Sequence, residues 1–116
     1  MNTVTVLGGP TALIRLAGWT LLTDPTFDAA GTEYQDGPVP VRKTAGPALK
    51  PSQLPALDAV VVSHTGHLDN LDTAGRAVAS GVSEVFTTVA GAEDLGGGAV
   101  GLEPWQTRTL SKPGRT

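Results

Sequence analysis

The chain has 116 residues, enough for one domain with one modest core, and its 40% hydrophobic content is too high for a disordered polypeptide. A net charge of −3 without a basic cluster argues against binding driven by phosphate neutralisation, so no nucleic-acid partner is expected. The absence of cysteine excludes disulfides, thiolate metal sites and cysteine nucleophiles.

The N-terminus Met1-Asn2-Thr3-Val4 carries no basic leader. No apolar run approaches the roughly 20 residues of a membrane span. The expectation is a soluble cytoplasmic protein without a membrane partner. Thr3 to Leu7 alternates polar and apolar residues, the period of a half-buried strand, and Gly8-Gly9-Pro10 ends it. No Gly-Lys-Ser/Thr or helix start follows those glycines, so they do not form a phosphate loop. Ala12–Leu16 and Trp19–Thr23 read as two further strands joined by Ala17-Gly18, an antiparallel hairpin. Asp24-Pro25 closes the meander, and the proline pushes Asp24 towards extended geometry, as a projecting carboxylate or a simple turn residue. From Pro25 to about Lys50 no helical or strand period is visible, and such connections are often lids or binding loops. Phe27, Tyr34, Arg42 and Lys43 are its candidate pocket-lining or anchoring residues.

Pro51–Leu54 suggests a single helical turn, and Leu57–Val62 a strand at the centre of a sheet covered on both sides. Leu71, Ala74 and Val78 then recur at helical spacing. Asp72 and Arg76 sit four apart on the other face, and Gly81 is a C-terminal stop. Ser83–Thr87 reads as a strand, Ala90–Leu95 as a short helix, and Ala99–Leu102 and Gln106–Leu110 as two last strands. A meander followed by alternating units favours a mixed α/β (α+β) sheet with flanking helices over 1–110, and an unstructured tail over 111–116.

Both histidines lie in Ser63-His64-Thr65-Gly66-His67-Leu68-Asp69-Asn70, directly after the strongest strand. A strand's carboxyl end opens into the crevice where α/β sheets usually bind ligands. His64, His67 and Asp69 are the candidate metal ligands, with Asp69 also the candidate catalytic carboxylate. Two imidazoles and a carboxylate suit Zn2+, Mn2+ or Fe2+, and such an ion generates hydroxide at neutral pH. Alternatively, Asp69-Asn70 is the N-cap of the following helix. Ser63 lacks the Gly-x-Ser-x-Gly elbow of a serine nucleophile.

Four segments, Gly8–Ile14, Leu21–Asp28, Lys43–Leu49 and Asp58–Arg76, resemble the metallo-β-lactamase-fold hydrolases. The branch is the one similar to bacterial ascorbate-phosphate lactonases and beta-lactamase superfamily domain proteins. The resemblance implies an αββα sandwich built of two similar halves, and hydrolysis of an ester, lactone, amide or phosphodiester by metal-activated water. Gly66 stands where the family's second histidine is expected. A Ser-His-x-x-His-x-Asp-Asn-Leu-Asp variant fits better and supports His64, His67 and Asp69. By the same resemblance Asp24 supports the metal loop from behind. The family draws further histidine and aspartate ligands from its second half, and this chain has no third histidine. The expectation is therefore an N-terminal half of the sandwich, with a small-molecule substrate, or an inactive fragment working with a partner. Its uncovered apolar sheet face would need a second copy or a C-terminal half.

Overall fold

The protein is described by a computed structural model covering residues 2–34 and 41–113. Strand β1 (Thr3–Gly8) pairs antiparallel with β2 (Thr11–Leu16), which pairs antiparallel with β3 (Trp19–Thr23). In the β2–β3 turn Ala17 has φ 51° and Gly18 φ 86°. Positive φ at both central residues is what a type I′ hairpin turn requires, and it matches the twist of the strands it joins.

After the meander the topology changes. β6 (Ala59–Val61) lies parallel beside β3, β7 (Val85–Thr88) beside β6, and β8 (Val100–Leu102) beside β7. The result is one mixed six-stranded sheet in the order β1-β2-β3-β6-β7-β8. Helix α1 (Thr73–Ser80) connects β6 to β7, and α2 (Val89–Leu95) connects β7 to β8. Between β3 and β6 the chain forms a two-stranded ribbon, β4 (Glu33–Tyr34) with β5 (Val41–Arg42), and a 3-10 turn at Pro51–Gln53.

Both helices lie on one face of the sheet. That face carries Leu7, Leu13, Leu22, Val60, Val62 and Val85, which form the core with Phe27, Leu71 and Ala79. Ala74 and Val78 of α1, and Leu95 at the end of α2, pack against the same cluster. Strand side chains alternate between faces and cross-strand partners share one. The pairings Val4↔Ile14, Val6↔Ala12, Ile14↔Leu21 and Leu16↔Trp19 therefore put these residues on the opposite face, and Thr23↔Val61 adds Val61. That face is apolar and open in part: Val4 is 68%, Val6 66%, Leu16 51% and Val61 42% exposed, whereas Ala59 and Phe86 on the same face are buried.

Several expectations need correction. β6 does sit centrally between β3 and β7, but Val61 shows that it is not covered on both sides. Gln106–Leu110 forms no strand, because β8 is the last strand of the sheet and residues 106–109 are exposed without a pairing partner. The segment from Pro25 to Lys50 is not structureless. Gly31 N donates to Lys43 O (2.7 Å) and Lys43 N to Thr32 O (2.8 Å), extending the ribbon, while Ala48 N donates to Leu7 O (2.8 Å) and returns the chain to β1. Phe27 is buried in the core, whereas the side chain of Tyr34 lies outside the described residues. Among the described residues no helix is long and apolar enough to cross a membrane.

Of the expected tail, residues 114–116 lie outside the described residues, but Lys112 is anchored. Its Nζ donates to Asp58 Oδ2 (2.8 Å) and to Gly18 O (2.9 Å), and lies 4.9 Å from the ring centroid of Trp19. The Lys112 hydrogen bond, with one from Thr20 N, holds the Asp58 carboxyl below its ordinary range. A lowered folded-state pKa stabilises the fold above the unfolded value of about 4, and this contribution fades as pH falls through the folded value. Lys112→Ala is thus expected to cost about 0.5–1 kcal/mol at neutral pH, the scale of a partly exposed pair. Urea unfolding at neutral and at strongly acidic pH checks it, because the gap to wild type must narrow in acid.

Candidate functional site

Because β3 and β6 are parallel neighbours, Asp24 and Ser63 leave the sheet side by side. Asp24 N donates to Val61 O (2.9 Å), and its carboxylate accepts from Ser63 N at Oδ1 (2.6 Å) and from Ser63 Oγ at Oδ2 (2.9 Å). Thr11 Oγ donates to Asp24 O (2.6 Å), so its lone pairs face Thr26, whose hydroxyl (2.5 Å) and N–H (3.0 Å) both donate to it. This mesh overrides the proline rule: Asp24 has φ 32°, a left-handed conformation instead of the expected extended one. Such a backbone in a non-glycine residue costs on the order of 1–3 kcal/mol and persists only where its surroundings over-determine it.

The histidine loop follows. His64 and His67 are exposed and meet edge to face, with ring centroids 5.4 Å apart. His64 Nδ1 lies 3.0 Å from Ser63 Oγ. The buried Asn70 closes the loop by donating Nδ2 to His64 O (2.5 Å), while its Oδ1 has no partner among the described residues. On α2 the Asp94 carboxyl is held below the usual carboxylate range by the Arg76 guanidinium, 2.7 Å away, and to a lesser degree by the Thr65 hydroxyl.

Asp69 follows in the same loop and lines a neighbouring cavity of about 290 Å³ with Gly8, Pro10, Lys43 and Asp72. Among the described residues, no group of three or more His, Asp or Glu side chains is placed to hold a metal ion. Catalytic zinc takes three protein ligands and a water. The structure brings the two candidate imidazoles together, while Asp69 faces the neighbouring cavity.

At the floor of that cavity lies Asp72, fully buried. Its Oδ1 accepts from Phe27 N (2.9 Å) and Gly75 N (2.7 Å), and its Oδ2 from Asp28 N (2.8 Å) and Lys43 Nζ (3.2 Å). Asp28 Oδ1 in turn accepts from Ala74 N (2.9 Å), so two carboxylates satisfy the first turn of α1. The N-cap is therefore Asp72, not Asp69-Asn70, and Asp72 does not pair with Arg76. Arg76 instead reaches Asp94 on α2. A cap removes a side chain from the helix surface, so the four-residue spacing no longer describes it. The signal was present: an aspartate three residues before a backbone N–H at the head of an apolar helical stripe. Nothing local announced its links to Phe27, Asp28 and Lys43, because they span 29 to 45 residues.

No known family's sequence profile matches the chain. Uncharacterized proteins of Mycobacterium tuberculosis and Mycobacterium bovis are 39% identical over 70 residues, which is 60% of this chain and 18% of theirs. The chain thus spans about a fifth of the length of the curated relatives it matches. Among solved structures, the isothiocyanate hydrolase from Delia radicum gut bacteria superposes with a TM-score of 0.67 at 22% identity, over 89% of this chain and 42% of that one. At that identity the likeness speaks for the fold alone: this chain shares its architecture with one part of a longer protein.

Proposed function

We propose that this chain is one half of a metal-dependent hydrolase of the metallo-β-lactamase kind, inactive alone and completed by a covering β-layer. The observation that carries this reading is the exposed apolar patch of Val4, Val6, Leu16 and Val61, with Ile14 and Leu21 half-buried on the same face. Both helices pack on the other face, so a second sheet is the element that fits against this one. The solved hydrolase on which this chain superposes is longer, with 42% of it covered, so its remaining length leaves room for such a layer.

His64 and His67 stand at the sheet's carboxyl edge and contribute imidazoles to the metal site, which Asp69 or donors from the covering layer complete. Asp24 acts behind them through Ser63. The substrate is a small ester, lactone, amide or phosphodiester, its class set by loops around the completed site.

The test joins metal analysis, sizing and hydrolysis assays on the purified chain supplemented with zinc, manganese or iron. Expected are self-association through the open face, well under one equivalent of tightly held metal, and no turnover above a metal-only blank. A non-associating monomer that holds a full equivalent and turns over substrate overturns the proposal. Val4→Lys with Val6→Lys should abolish the association while changing stability by no more than about 0.5 kcal/mol, the range of ordinary surface substitutions.

A further inference from the structure

We propose that Ser63 is a positioning residue that relays the Asp24 carboxylate onto His64 and fixes the neutral imidazole with its proton on Nδ1 and its lone pair on Nε2. The argument is a count of protons. A carboxylate only accepts, so at 2.9 Å from Asp24 Oδ2 the single hydroxyl proton of Ser63 is committed to Asp24. The Ser63 N–H is committed to the same carboxylate at 2.6 Å, which leaves the serine little freedom to turn. Ser63 Oγ therefore meets His64 Nδ1, 3.0 Å away, with lone pairs only, and the ring must supply the proton.

The other side of His64 is fixed independently. Asn70, 4% exposed, donates Nδ2 to His64 O, so backbone and ring are both held in an otherwise exposed loop. The nitrogen that keeps its lone pair is the one that can take a metal ion, and the hydrogen bond at the other nitrogen decides which one that is. A free imidazole side chain favours the opposite tautomer, so the arrangement works against the intrinsic preference. The metal role of Nε2 rests on the function proposed above, whereas the tautomer rests on Asp24 and Ser63 alone.

The experiment is long-range proton–nitrogen correlation NMR on histidine-labelled protein, at a pH where both imidazoles are neutral. Expected are a protonated-type signal for His64 Nδ1 and an unprotonated-type signal for Nε2. Ser63→Ala should return His64 to a mixture weighted towards the Nε2 proton, with the backbone spectrum otherwise kept, and Ser63→Thr should preserve the wild-type signature. Wild-type protein with the His64 proton on Nε2 overturns the proposal without any variant, as does a Ser63→Ala spectrum identical to wild type. Zinc titrated into the same samples separates the two readings: Ser63→Ala should bind about tenfold more weakly than Ser63→Thr. A locked tautomer whose signals zinc leaves unmoved sinks the metal role and leaves Ser63's positioning role standing.

Discussion

Asp72→Ala is expected to lower the unfolding free energy by about 3–5 kcal/mol, the cost of removing one partner of a buried, hydrogen-bonded charge pair. Four donors converge on this carboxylate: the backbone N–H groups of Phe27, Asp28 and Gly75, and the Lys43 ammonium, itself mostly buried. Alanine strands all of them, and the loss of the helix cap alone accounts for about 1 kcal/mol. Domains of this size are stable by roughly 5–15 kcal/mol, so the variant should sit near its unfolding threshold. Asp72→Asn separates charge from shape. Its carbonyl still accepts from one side, but its amide turns donors towards donors at Asp28 and Lys43, and a loss of about 2–3 kcal/mol is expected. Urea unfolding midpoints measure both, and a wild-type midpoint for Asp72→Asn would show that the charge contributes nothing.

Gly75→Ala is expected to destabilise by about 3 kcal/mol, the upper range for forcing volume into a packed site. The sign is the informative part. In a free helix, alanine for glycine is favourable by about 1 kcal/mol. Here a Cβ on Gly75 would lie 1.8 Å from Pro25 O and 2.6 Å from Pro25 C, both backbone atoms that cannot swing aside. Either α1 or the turn after β3 has to move. Moving either pulls Phe27 and Asp28 off Asp72, so the combination with Asp72→Ala should cost less than the sum of the two. Thermal unfolding should show a midpoint lowered by about 10 °C. A raised midpoint would mean that the close approach of α1 to Pro25 is not what fixes this junction.

These two changes bear on function because the junction they break sets where the strand-exit loops stand. The β3 exit holds Asp24, which grips Ser63 at the β6 exit beside His64, and α1 is bolted to the segment after β3 through Asp72 and Asp28. Loosening the bolt should blur the His64 geometry as well as the fold. Lost His64 tautomer preference in Gly75→Ala would be the direct sign of that coupling.

The sequence by itself determined the strands of the six-stranded sheet and their order along the chain, but not the β4–β5 ribbon, and it suggested a strand at Gln106–Leu110 that does not form. Alternation in Thr3–Leu7 and the small-residue turn at Ala17-Gly18 gave the meander, and the apolar run ending at Val62 gave a central strand with both histidines at its exit. These are local signals, carried by periods of two and by turn residues within a few positions. It also gave the helical stripe of Ala74 and Val78, because burial on one side repeats every third or fourth residue. The tertiary structure alone decided what lies between the elements. Asp72 serves as the cap that joins Phe27, Asp28 and Lys43, and Asp24 is bent to φ 32° against the preference of a residue before proline, because each is set by partners far away in the chain. Which nitrogen of His64 faces Ser63, and which face of the sheet stays open, are likewise products of register and packing. A period of two says that a strand has two faces, and only the side on which α1 and α2 land says which one is left for a partner.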